Sequence, residues 1–250
     1  EAPFNGKKLD FDFVNHPTGW PIKSNATAGE YVYNLDDTDY TFKHSKSGDG
    51  VYVAGTSGTS GYLLIASGNT LGLPAIKGHK LVKVQGTLNN SGNPSTLASV
   101  SITDGTNTLS GGTAQTWNTK GGIYTYSLSG TQANTMYYLS VSNKNLQMIT
   151  LVLYYEECEK YALTITEPAV GTGTLLVKDG ENTLTSGAEI YEGTKLTVTA
   201  TPAAGYEEGV VVVKNASDED VTADVYDAGT LTMPAYAVTI SATFEKKPCT

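Results

Sequence analysis

A chain of 250 residues with 39% apolar content can fill a hydrophobic core, which excludes wholesale disorder. Only 16% of its residues are charged, against roughly 25% in average globular proteins, and all 16 basic side chains are lysine. A net charge of −9 without arginine excludes a reader of the phosphate backbone, and no stretch nears the roughly 18 consecutive apolar residues of a spanning helix, so neither a nucleic-acid partner nor membrane insertion is expected.

Period-two alternation runs through the chain and helix signals are nearly absent. In the first part strands are predicted at Leu9–Val14, Tyr31–Leu35, Tyr40–Lys43, Val51–Ala54, Tyr62–Ala66, Leu81–Thr87, Ser99–Thr103, Tyr124–Leu128, Tyr137–Val141 and Met148–Tyr155. Tyr62–Ala66 does not alternate and should be covered on both faces, whereas Lys80–Gln85 alternates and should be half exposed. Turn chemistry separates the runs at Ser47–Gly50, Asn89–Pro94, Asp104-Gly105 and Gly121-Gly122. Ten short strands with such turns predict an all-β sandwich, and a jelly roll is the expected topology.

Three acids in four residues, Asp36-Asp37-Thr38-Asp39, fall between two of these strands. A turn is the first reading, and a structural calcium site or one wall of a glycosidase cleft are the others. The serines of Gly55–Gly61 fit no G-x-S-x-G window, and His16, His44 and His79 are scattered, so nucleophilic catalysis has little support. No enzyme, cofactor or metal is expected. Aromatic residues carry the functional lead, because sugar rings present apolar faces to Trp and Tyr. Trp117 lies between the glycine pairs Gly111-Gly112 and Gly121-Gly122, with Gln115, Asn118 and Lys120 as polar neighbours. Trp20 is held between Pro17 and Pro21. These five residues are the candidate ligand-binding set, and the competing reading folds both indoles inward as plugs of the sandwich.

The second part repeats the pattern on a smaller scale, with strands predicted at Ala162–Thr166, Thr174–Val177, Lys195–Ala200, Gly209–Lys214, Thr230–Met233 and Ala237–Phe244. A division after Glu157 separates two unlike compositions. Residues 1–157 carry 11 acids and 10 lysines, and hold both Trp and eleven of the 16 Tyr; residues 158–250 carry 14 acids and 6 lysines. Two domains are therefore expected, a jelly-roll sandwich at 1–157 for recognition and a small acidic β module at 158–250 as a spacer. An aromatic, a Glu, a short polar link and a Cys end both parts, at Cys158 and Cys249. This reads as a module boundary used twice, implying further modules of the same polypeptide, while a Cys158–Cys249 disulfide is the alternative. The chain opens at Glu1 without a charged-then-apolar leader, which leaves a removed signal peptide and a trimmed chain both open.

Glu192-Gly193-Thr194-Lys195-Leu196-Thr197-Val198-Thr199-Ala200-Thr201-Pro202-Ala203-Ala204-Gly205-Tyr206, with Leu231–Ala235 and Val238–Phe244, resembles the divergent bacterial surface repeat related to internalin B-repeats, over about 160–246. Glu207-Glu208-Gly209-Val210 stands where that repeat often carries Gly-Trp. Tyr137–Asn145 and Ile149–Tyr155 resemble the last strands of jelly-roll modules in Bacteroidetes-type secreted proteins, similar in outline to galactose-binding-like domains. Together the resemblances imply an extracellular or cell-surface bacterial protein, adhesin-like, recognising a glycan or a host-surface component. The alternatives are a purely structural spacer and a glycoside hydrolase accessory or catalytic module.

Overall fold

The computed structural model describes residues 4, 6–55, 61–90 and 98–248. The serine-glycine loop, the Asn-rich turn after Asn90 and Cys249 fall wholly or partly outside them, so the expected turn and the disulfide alternative do too. The chain divides into two compact units, Glu1–Glu157 and Cys158–Thr250.

The first unit has twelve strands among the described residues: β1 (Lys7–Asp12), β2 (Gly29–Leu35), β3 (Thr38–His44), β4 (Val51–Ala54), β5 (Tyr62–Ile65), β6 (Thr70–Gly72), β7 (His79–Leu88), β8 (Ala98–Thr103), β9 (Gln115–Trp117), β10 (Ile123–Ser127), β11 (Tyr138–Ser142) and β12 (Leu146–Glu157). One sheet runs β10-β7-β12-β5-β4, with β1 sharing the free half of β12; the other runs β2-β3-β6-β11-β8-β9. Between β5 and β12 the winding is that of a jelly roll. Strand β5 pairs β12, β6 pairs β11, β7 pairs β10 and β8 pairs β9, all antiparallel, as in a long hairpin rolled once around a core. The expected all-β jelly-roll sandwich is therefore what the chain forms.

Alternation supplies the reason. Along β8 every second residue (Ala98, Val100, Ile102) is buried, and along β12 Leu151, Leu153 and Tyr155 face the same core as Phe11, Phe42 and Leu139. The non-alternating run of β5 is covered on both sides as expected. Leu63 and Ile65 join the main core, while Leu64 and Ala66 pack with Ala26 and Tyr52 in a small outer cluster. On β7 the period slips between Leu81 and Lys83, where the register with β12 shifts and Val82 is extra, a bulge that alternation alone does not predict.

The second unit has nine strands among the described residues: β13 (Lys160–Thr166), β14 (Gly173–Asp179), β15 (Asn182–Thr183), β16 (Ala188–Tyr191), β17 (Lys195–Pro202), β18 (Val210–Asn215), β19 (Tyr226–Asp227), β20 (Thr230–Thr232) and β21 (Val238–Thr243). They form sheets β16-β13-β21-β18 and β15-β14-β17-β20-β19, with β13 and β21 parallel. Leu163, Ile240, Leu196, Leu231 and Val213 close a separate small core. Asn215 Oδ1 accepts the Ser217 and Glu219 amides, so the acidic run 217–220 is an ordered turn.

Candidate functional site

Trp117 ends β9, at the edge of its sheet, beside β10 at the edge of the other. Its ring is fully buried. Its Nε1 donates to Tyr126 Oη at 3.0 Å, and that hydroxyl donates to the Val100 carbonyl at 2.6 Å. The Tyr124 ring stacks on the indole with centroids 4.6 Å apart and planes 10° from parallel. Tyr124 Oη accepts the amides of Asn118 and Thr119, and Gln115 Nε2 donates 2.8 Å to the Thr125 carbonyl of β10. The predicted ligand set of Trp117, Gln115 and Asn118 is thus brought together, but as a seam that buttons β9 to β10. Burial pushes the Tyr126 hydroxyl up to about 12, against the Trp117 N–H, so it remains a neutral donor throughout the physiological range. Lys120 is exposed on the following turn.

Trp20 is also buried. Its Nε1 donates 2.7 Å to the Val32 carbonyl on β2, and its ring meets Phe13, Tyr33, Phe42 and His44. Strands β2 and β9 are opposite edges of one six-stranded sheet, about 24 Å apart at about 4.8 Å per strand. The two tryptophans therefore form no common groove, and the correction to the sequence expectation is physical: each indole is worth more covering the end of a core than exposed. His44, sequestered between Tyr31 and Trp20, is held well below its ordinary range, at about 4, by burial; the Val51 backbone opposes this weakly.

The acidic cluster is a hairpin turn. Asp36 and Asp37 have φ of 50° and 60°, the two left-handed positions of a type I′ loop between β2 and β3, and Asn34 Nδ2 donates 2.7 Å to Asp39 across it. Glu30, Asp36, Asp37 and Asp39 are all exposed. Among the described residues no three His, Cys, Asp or Glu side chains converge as a metal site.

Sequence reasoning missed the outer face of the first sheet. Registers of β1, β12, β7 and β10 align three outward rows: Lys8-Tyr154-Lys83-Ser127, Asp10-Val152-Gln85-Thr125 and Asp12-Thr150-Thr87-Ile123. Hydroxyls and an amide are cross-linked there, Gln85 Nε2 to Thr125 Oγ1 at 3.0 Å and Thr150 Oγ1 to Thr87 Oγ1 at 2.7 Å. The Lys83 ammonium sits 4.6 Å from the Tyr154 ring centre, and Lys8 pairs with Asp10 at 3.0 Å. At the Lys83–Ser127 corner an open groove of about 530 Å³ is lined by Lys80, Lys83, Ser127, Gly130, Thr131 and Glu156 among others. Outward residues of four neighbouring strands converge only through long-range pairing, so only the register could have revealed them.

Residues 164–248 match the family model of the divergent InlB B-repeat domain. The match spans about a third of the chain, lies within the second unit and agrees with the repeat read from its Thr-rich strands. No curated protein matches the chain. Among the described residues no helix is long and apolar enough to cross a membrane.

Proposed function

We propose that this chain is part of a bacterial surface protein whose first unit binds a glycan or another host-surface component and whose second unit is a repeat-type spacer. The repeat match over 164–248 is the observation that carries the surface assignment. Recognition by the first unit is supported by the polar outer sheet face and its groove, a pre-formed concavity with a few convergent polar groups. The Trp117 loop is replaced by that face as the recognition surface. The reading requires no catalysis and no cofactor. It is tested by probing a glycan array with the 250-residue chain and measuring adhesion of beads coated with it to host cells. Saturable binding to one glycan class is the expected result; a blank array together with non-adherent beads would remove the recognition role.

A second reading has a specific observation in its favour. Both tryptophans are buried, so neither offers an exposed aromatic platform, which favours a purely structural segment of a larger surface protein. The same array decides between the two.

A further inference from the structure

We infer that the groove at the Lys83–Ser127 corner takes a carboxylate-bearing sugar residue, with Lys83 as the partner of the carboxylate; this rests on the glycan-binding reading above. Among the described residues no carboxylate pairs with Lys83, whose ammonium lies over the Tyr154 ring. A cation held over an aromatic face in this way keeps its N–H donors available while its position is fixed. Ser127 lies directly across the strand pair from Lys83, and Thr131 and the Gly130 backbone complete the polar wall. These are donors and acceptors of the kind that read sugar hydroxyls. Val82 and Leu128 contribute apolar lining for a ring face. Glu156 sets the charge that the groove accepts. Its carboxylate joins Lys80 and Lys83 in the lining, so the groove keeps a small positive excess that one carboxylate matches, and Glu156 adds an acceptor for the hydroxyls that accompany it.

The experiment titrates the full 250-residue chain with a glucuronate-terminated oligosaccharide and with its glucose-terminated counterpart, by calorimetry and by chemical-shift mapping. Expected are at least about tenfold tighter binding of the acidic probe, weakening with added salt, and shifts confined to β7, β10, the 128–131 loop and the 154–156 end of β12. Lys83→Gln should abolish the preference and Lys83→Arg should restore most of it, with thermal melts of both variants matching the parent. Equal binding of the two probes, or acidic binding unchanged in Lys83→Gln, overturns the inference and leaves glycan recognition elsewhere on the unit standing. Failure of every array glycan, neutral or acidic, removes the recognition reading and the inference with it.

Discussion

Trp117 joins two sheets through one indole, one phenol and one carbonyl, and each link has its own expected cost. Trp117→Ala should destabilise the first unit by about 3–5 kcal/mol, read from chemical denaturation, because it empties a fully buried site. Tyr126→Phe keeps the volume but leaves the Trp117 N–H and the Val100 carbonyl without their partner, and about 1–3 kcal/mol should be lost. A fall below 0.5 kcal/mol in either measurement would refute the seam. His44 gives a pH signature. Its folded-state pKa of about 4 lies below the ordinary 6.5, so the unfolded chain takes up the proton first. Stability is therefore intact above pH 6.5 and declines as pH falls toward 4, by up to about 3 kcal/mol. Denaturation midpoints between pH 7 and 4.5 should decline more steeply for the parent than for His44→Phe.

Strands were legible where alternation was long. The extents of β2, β3, β8 and β12 follow from which residues recur every second position, and the two-residue loop at Asp36-Asp37 follows from turn chemistry. Strands β6 and β9 are three residues each, too short to show a period, so Gln115–Trp117 reads as loop between glycine pairs. The inward turn of Trp117 did leave a trace in sequence. Gly86 falls at an inward position of an alternating strand, between the buried Val84 and Leu88, and a methyl group there would collide with the Trp117 ring edge. An aromatic residue serves a core and a sugar equally well in composition, so only this notch distinguishes the two roles. At this scale the turn can be improved. Asp37→Gly removes a side chain from a left-handed position and should raise stability by about 0.5–1 kcal/mol, provided its melting curve is compared at constant pH.

Charge is divided unevenly over the whole molecule. The second unit has 14 acids against 6 lysines around a small core, and the first is nearly balanced. Raising salt from 10 mM to 0.5 M screens the repulsion, so the melting temperature of isolated 158–250 should rise while that of 1–157 stays nearly constant. Equal responses would show that net charge does not limit the second unit. Both units are completed by an interior strand, which in the second is β21, between β13 and β18. Strand β12 lies inside its sheet, hydrogen-bonded to β7 on one side and to β1 and β5 on the other, yet it is the last strand of its unit to leave the ribosome. Until residue 157 has emerged, no complete strand joins β7 to β5, although each already has its other neighbour, β10 and β4. Order in time therefore runs opposite to position in space: the strand that joins the two halves of its sheet arrives last, so that sheet closes only once the whole jelly roll has been made.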